Sequence, residues 1–330
     1  MTLRVAILDD YLHLAMTSAD WSSLEGRCEV TAFDRSLAND PDAAKVLEPF
    51  DIACLMRERM PVSDDLLARL PNLKMICVTG PYCRPLDAAA AIRRGIVVSH
   101  TELRGTYRKA TCELTWGLIL SVARHIPQEH ESMRRGGWQT SAGITLAGRT
   151  LGLLGLGRQG RHMVPIAKAF GMDVIAWSSN LTSEAAAAVG VHRVDKAELF
   201  ARSDILSVHL VLGERSRGIV DRTMLAKMKA SAILINVARG PIVDEAALID
   251  ALRTGGIAGA GLDVYAQEPL PAAHPLRSLR NVVLTPHQGH NVREFYEVAF
   301  TDVVENIAAF LDGAPIRLLD PARNSSQFAT

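Results

Sequence analysis

Short apolar runs alternate with amphipathic stretches along most of the chain. Residues 4–8, 51–56, 74–79 and 95–99 read as buried strands. Between them lie helical patterns such as residues 63–70, which open on an N-capping Ser63 and stop at Pro71. Strands separated by helices at this spacing predict a parallel α/β sheet. A long apolar helix is expected over residues 111–126, ended by Pro127. It is apolar on more than one face, which points to burial against its own domain and against a further surface such as a second subunit. Residues 131–149, with Gly136, Gly137 and Trp138, are less regular and read as an arm. The strand–helix rhythm then resumes. Residues 151–154, 173–177, 204–210, 232–237, 258–264 and 281–285 give the six strands that a doubly wound dinucleotide domain requires. Residues 293–311 form a closing helix before a proline-punctuated tail.

The first strand of this second series leads into Gly155-Leu156-Gly157-Arg158-Gln159-Gly160, and a helix-compatible stretch over 162–170 follows. Each glycine has a physical task. Gly155 permits the tight turn, Gly157 admits a pyrophosphate close to the backbone, and Gly160 lets the helix pack near the strand. The free N–H groups of the new helix, among them those near Arg158 and Gln159, then face phosphates. The choice of nucleotide turns on the end of the next strand, where an acid would bind the adenosine ribose and repel a 2′-phosphate. Here stand Trp177, Ser178, Ser179 and Asn180, with no acid and no local arginine. Either NAD or NADP is compatible, with the balance toward NADP.

Composition narrows the picture further. A chain of 330 residues with 48% hydrophobic content fits two domains with ample cores. Lys and Arg total 36 against 36 Asp and Glu, so no generic electrostatic grip on nucleic acid or an anionic membrane is expected. There is no apolar run of membrane-spanning length, and the start leads into a strand without a signal-peptide pattern. The five cysteines (28, 54, 77, 83 and 112) are scattered without CxxC spacing, so neither a disulfide framework nor a metal site is expected. The expectation is a soluble cytoplasmic protein.

Three residues at the ends of late strands carry candidate chemistry. Arg239 precedes Gly240 at the end of an apolar strand, where its fork suits a carboxylate held bidentately or a structural ion pair. Glu268 precedes Pro269, and His287 lies in Thr285-Pro286-His287-Gln288-Gly289. Singly, these read equally as a loop carboxylate and a satisfied loop histidine. In this order behind a glycine-turn domain, together with Asp204 leading to His209, Met228-Lys229 before Asn236, and Asp244-Glu245 before Leu248, the chain resembles the D-isomer-specific 2-hydroxyacid dehydrogenase family over nearly its whole length. The resemblance implies that Arg239, Glu268 and His287 form a catalytic trio, that His209 and Val237 border the cofactor, and that Asp263 lies near the nicotinamide carboxamide. The chemistry agrees with that transfer. Reducing a 2-keto acid needs the carboxylate fixed, the carbonyl polarised and a proton delivered to the new alkoxide. Arg239 suits the first two tasks and His287 the third, as general acid or, in reverse, base. Glu268 bonded to His287 favours the imidazolium, raising its pKa above the unperturbed ~6.5.

The resemblance implies a Rossmann domain over residues 102–288 and a flavodoxin-like α/β substrate-binding domain over residues 1–101 with 289–330, with hinges near His100 and Gly289 and the substrate closing between them. Substrate contacts are expected from Arg57, Thr79, Gly80, Arg239 and His287. The chain departs from the family pattern at Pro81, which lacks an N–H, at Tyr82, Cys83 and Arg84, and at His290 and Asn291. Loop 101–109, with Arg104, Arg108 and Lys109, is bulkier and more basic than the family leads one to expect. These changes leave open a glyoxylate- or hydroxypyruvate-like substrate or a larger, anionic 2-keto acid. A homodimer through residues 111–149 is implied. The alternative on the same fold is an NAD(H)-sensing binding protein of corepressor type, to which the absence of a long disordered tail is opposed.

Overall fold

The computed structural model describes residues 2–102 and 104–325, without the side chains of Arg323 and Ser325. Met1 and tail residues 326–330, of the expected first domain, and Leu103, of the expected Rossmann domain, lie outside the described residues. The chain divides into two compact units, Met1–Arg108 with Val292–Ala329, and Lys109–Asn291. The crossings fall a few residues later than the expected 101/102 and 288/289.

The discontinuous unit holds five parallel strands: β1 (Leu3–Ile7), β2 (Cys28–Ala32), β3 (Ile52–Leu55), β4 (Met75–Val78) and β5 (Val97–His100), in the order β2-β1-β3-β4-β5. This is the flavodoxin-like order, with its switch point between β1 and β3. β3 and β4 are buried at every position, which is why they read as unbroken apolar runs. Alternate residues serve opposite layers. Val5, Ile7, Ile52, Cys54, Met75 and Cys77 meet Phe295, Phe300 and Ile307 of the helix Arg293–Leu311. Ala6, Leu8, Ala53, Leu55, Ile76 and Val78 meet Leu67, Leu70, Ala90 and Ala91 on the other face. The helix Asp64–Ala68 starts where expected, with the Ser63 hydroxyl accepting the Leu66 N–H at 3.2 Å. The strand β2 was not foreseen: it lies at the sheet edge, is only half-buried and carries Glu29 among its five residues, so it lacks an apolar run.

Loop 101–109 owes part of its basic character to internal pairing. Asp302, on the closing helix, is fully buried and accepts from the Glu102 N–H at 2.9 Å and from the guanidinium of Arg104 through both of its oxygens. Arg317 approaches the same carboxylate at 3.3 Å. Arg104 is thus committed to the fold and supplies no argument for an anionic substrate.

The second unit has seven parallel strands: β6 (Thr150–Leu154), β7 (Asp173–Trp177), β8 (His192–Arg193), β9 (Ile205–Val208), β10 (Ile233–Asn236), β11 (Gly259–Leu262) and β12 (Val282–Leu284). Their order, β12-β11-β10-β9-β6-β7-β8, is doubly wound about a switch point between β6 and β9. The six expected strands are present, and the seventh is β8, two exposed residues paired with the edge of β7. The apolar helix Ala110–Ala123 lies against this sheet, with Leu118, Ile119 and Val122 buried among Ile205, Ile233 and Ile235. Pro127 does not end that helix as expected. The first helix stops at Ala123, His125 turns in the left-handed region (φ 54°), and Pro127 sits in the first turn of a new helix, Ile126–Arg134, where a missing N–H costs nothing. Residues 131–134 of the expected arm belong to this helix. The irregular stretch after it is tied back by Glu129, which accepts from the hydroxyls of Thr140 and Ser141, each at 2.6 Å. All five cysteines are free thiols. Among the described residues, no helix is long and apolar enough to cross a membrane.

Candidate active site

In the Lys109–Asn291 unit the loops following β6 and β9 meet at the switch point, where open α/β sheets take ligands. Gly155 has φ 109°, and a Cβ there would stand 2.8 Å from the backbone carbonyl of His209. A Cβ on Gly160 would run into the carbonyl oxygen of Gly155. These two glycines are therefore demanded by the turn and by the close passage of the helix Arg158–Ala169. Gly157 is different. It is the N-cap residue with an ordinary φ of −74°, and no described atom lies within 4 Å of where its Cβ would be. The protein's own packing gives no reason for a glycine there, whereas a phosphate seated on the helix N-terminus does. Arg158 is exposed on the first turn, and the Oε1 atom of Gln159 is buried with no protein partner among the described residues. The cradle fits a dinucleotide pyrophosphate.

The segment expected to select the nucleotide follows β7. Ser178 is half-buried, Ser179 and Asn180 are exposed, and the turn is closed by the Leu181 N–H donating to Ser178 O at 3.1 Å. Contrary to the reading of an arginine-free neighbourhood, Arg193 of β8 donates from Nε to the Leu181 carbonyl at 2.8 Å. It lies thirteen positions beyond Asn180 in sequence, and only the pairing of Ala176 with Arg193 brings it to this turn. On the opposite side of the switch point, His209 follows β9 directly, with its Nε2 2.8 Å from the Ser207 hydroxyl. Burial pushes the His209 imidazole down to about 4.

The three chemistry-bearing residues come from the ends of β10, β11 and β12. Asn236, fully buried, shapes the first turn: its Oδ1 accepts the Ala238 N–H at 3.1 Å and its Nδ2 donates to the Arg239 carbonyl at 3.1 Å. This residue was not singled out from sequence, although a buried amide at a strand end is the signal that marks it. Val237 is buried beside it. Arg239 is half-buried, and its Nη1 donates to the Ala238 carbonyl at 2.7 Å. Glu268 accepts the Tyr265 N–H at 3.0 Å through Oε1 and lies 2.6 Å from His287 Nδ1 through Oε2. Burial opposes the Glu268 charge, yet the His287 hydrogen bond and charge, the Tyr265 N–H and Arg239 together hold its carboxyl below the usual value. The Arg239, Glu268 and His287 side chains are thus assembled in one place.

His287 has φ 53°, a left-handed conformation that a non-glycine residue keeps only when its surroundings enforce it. The enforcing group is Asp263, which is fully buried. Its Oδ1 accepts from the Thr285 hydroxyl at 2.6 Å and the Gln288 N–H at 2.7 Å, and its Oδ2 accepts from the Gly289 N–H at 2.8 Å. The His287 N–H donates to the Asp263 backbone carbonyl at 2.9 Å. Burial raises the Asp263 pKa against these hydrogen bonds and the nearby His287. Both of its oxygens are therefore engaged by the loop that carries His287. Thr111 of the apolar helix adds a further tie, its hydroxyl donating to Gly289 O at 2.7 Å.

In the discontinuous unit Arg57, Thr79 and Gly80 lie together at the ends of β3 and β4. The Arg57 N–H donates to the Thr79 hydroxyl oxygen at 2.9 Å, and its guanidinium passes over Gly80, where a Cβ would stand 3.1 Å from Nη1. The guanidinium carbon lies 5.9 Å from the centre of the Phe295 ring. In the atypical loop, Arg84 stacks over Tyr82 at 5.5 Å.

Comparison with known proteins bears on this geometry. The sequence profile described as "D-isomer specific 2-hydroxyacid dehydrogenase, NAD binding domain" matches residues 116–289. A D-3-phosphoglycerate dehydrogenase of Methanocaldococcus jannaschii is 40% identical over 262 residues, 78% of this chain; the match spans 49% of that relative, about half its length. A glyoxylate reductase of Aeropyrum pernix is 37% identical over 82% of each chain. Among solved structures, a putative D-3-phosphoglycerate dehydrogenase oxidoreductase from Ralstonia solanacearum superposes with a TM-score of 0.89 at 34% identity, covering 98% of this chain and 99% of that one.

The depressed His209 value sets a pH dependence. Because the folded value lies below the ordinary ~6.5, the unfolded chain takes up the proton first, and stability declines as pH falls from about 6.5 toward 4. His209→Gln removes this contribution. The loss of urea midpoint between about pH 7.5 and pH 4.5 is expected to be smaller in the variant than in the unaltered chain. Equal losses would contradict burial of a neutral imidazole at the switch point.

Proposed function

Because the chain belongs to the D-isomer specific 2-hydroxyacid dehydrogenase family, we propose that it interconverts a small 2-keto acid and its D-2-hydroxy acid with a nicotinamide dinucleotide, using His287 as proton donor and acceptor. The observation that carries this reading is the 2.6 Å contact between His287 Nδ1 and Glu268 Oε2, with Arg239 in electrostatic reach of the same carboxylate. The bound nicotinamide supplies or receives the hydride at the substrate's C2.

The protein's part follows from its own groups. Arg239 holds the substrate carboxylate and polarises the keto oxygen through its planar fork. With Nδ1 turned to Glu268, His287 offers Nε2 to the substrate oxygen. It gives up a proton as that oxygen gains charge, and takes one back in the oxidative direction. Glu268, held anionic, acts through His287 by fixing the ring through the Nδ1 contact. Asp263 and Asn236 act one step further out, setting the loops that carry His287 and Arg239. The glycine turn with Arg158 and Gln159 takes the pyrophosphate, and His209 and Val237 border the cofactor. In the other unit Arg57, Thr79 and Gly80 are assigned to substrate binding. The names of the relatives suggest glyoxylate and the keto acid formed from D-3-phosphoglycerate as the first substrates to try.

NADP(H) is the proposed cofactor. No acid follows β7 to repel a 2′-phosphate, and the Arg193 side chain braces the turn that would receive it. The proposed assembly is a homodimer through the Ala110–Ala123 and Ile126–Arg134 helices and the arm. Ile126, Met133 and Trp138 in this region are 51%, 53% and 71% exposed, an apolar set that a second copy would cover.

Three measurements check these assignments. His287→Gln is expected to lower kcat on the responsive 2-keto acid by roughly 10²–10⁴-fold while leaving the cofactor Kd unchanged; undiminished turnover would remove His287 from its role. Arg193→Ala is expected to weaken NADPH about five- to tenfold in a fluorescence titration and to leave NADH nearly unaffected; equal effects on both would reject a 2′-phosphate contact. Sedimentation equilibrium is expected to give twice the mass of a single chain, and a monomer throughout the micromolar range would overturn the dimer.

A further inference from the structure

The loop that departs from the family pattern, residues 80–86, is organised by a buried thiol and by a residue from the far end of the chain. Cys83 is fully buried, and its Sγ donates to the Arg57 carbonyl oxygen at 3.2 Å. Its N–H donates to Asn324 Oδ1 at 2.8 Å, and Asn324 Nδ2 donates to the Leu86 carbonyl at 2.8 Å. Asn324 belongs to the helix Pro321–Ser325 and is 6% exposed. One amide side chain therefore pins the loop on both sides of Pro85.

The far end of this chain of bonds is Arg57. Its φ is 55°, in the left-handed region that disfavours a residue with a Cβ. Both of its backbone polar groups are anchored: the N–H by the Thr79 hydroxyl, which itself donates to Leu55 O at 3.0 Å, and the carbonyl by Cys83. From this anchored backbone the guanidinium passes over Gly80 and lies near the Phe295 ring. Burial pushes the Cys83 thiol up to about 12, with Glu58 adding to the effect, so it remains a donor at every working pH.

We propose that Cys83, itself held by Asn324, is the positioning residue that aims Arg57 at the substrate anion, so that the helix Pro321–Ser325 is a working part of the substrate loop. The proposal rests on the assignment of Arg57 to substrate binding. It explains why a cysteine stands in this loop: alanine would leave the Arg57 carbonyl without its donor, whereas serine keeps one.

The test compares Cys83→Ala, Cys83→Ser, Asn324→Ala, Arg57→Ala and the Arg57→Ala/Cys83→Ala pair in the full chain, by steady-state kinetics, NADPH titration and a crystal structure of Cys83→Ala. Cys83→Ala is expected to raise KM for the keto acid about five- to tenfold, the size of one lost hydrogen bond, with kcat and the NADPH Kd unchanged. Asn324→Ala is expected to shift KM in the same direction, and Cys83→Ser to restore most of it. In the Arg57→Ala background, Cys83→Ala should add nothing, and in the crystal Arg57 should leave the left-handed region. An effect of Arg57→Ala on KM without one of Cys83→Ala or Asn324→Ala overturns the proposal alone. So does a Cys83→Ala effect that persists undiminished without Arg57. If Arg57→Ala itself leaves KM unchanged, the assignment of Arg57 to the substrate fails and the proposal falls with it, while the roles of Arg239 and His287 are untouched by that result. Should Cys83→Ala not fold, the Cys83→Ser and Asn324→Ala arms decide in the same terms.

Discussion

The loop that carries His287 depends on the carboxylate of Asp263. A fully buried acid is expensive unless its oxygens are satisfied. Here satisfaction comes from a single loop, through the Thr285 hydroxyl and the N–H groups of Gln288 and Gly289. The requirement works in both directions. The loop cannot relax without stranding a buried charge, and so His287 is kept in a backbone conformation it would otherwise leave. Its ring then meets Glu268 at 2.6 Å. The sequence resemblance implies a place for Asp263 near the nicotinamide carboxamide, and its side chain also ties the loop that carries His287.

The same economy recurs at Arg239 and at Arg57. In neither case does the functional side chain fix itself. The Asn236 amide spans the turn before Arg239, and Thr79 and Cys83 hold the backbone of Arg57 on both sides. Each unit thus ties down the main chain that carries a strand-end arginine.

What could be read from the sequence was whatever physics writes locally. The glycine turn was legible because a positive φ at Gly155 and a steric contact at Gly160 each demand a missing side chain at a fixed position. The central strands were legible because burial on both faces leaves unbroken apolar runs. The edge strands β2 and β8 were not, since one face or more meets solvent and polar residues such as Glu29 and Arg193 interrupt the run. Pro127 was misread because proline stops one helix and starts another with equal ease. The roles of Arg104, Arg193 and Cys83 were hidden for a common reason. Their partners are Asp302, the turn at Leu181 and Asn324, and only folding brings these together. Glu268 and His287 had no local signature at all, and their pairing was inferred from resemblance alone.

The closing helix Arg293–Leu311 has a consequence for biosynthesis. It supplies Phe295, Phe300 and Ile307 to one face of the five-stranded sheet, while the rest of that unit ends at Arg108. Between these segments the ribosome makes the whole of Lys109–Asn291, which at about 5–20 residues per second takes roughly 10–40 s. During that interval the strands bearing Val5, Ile52 and Met75 lack Phe295, Phe300 and Ile307, and on that face keep only groups such as Ala15, Leu24 and Tyr107. The middle of the chain is therefore complete before its beginning, and the nascent sheet meanwhile leaves part of an apolar face open to neighbouring chains.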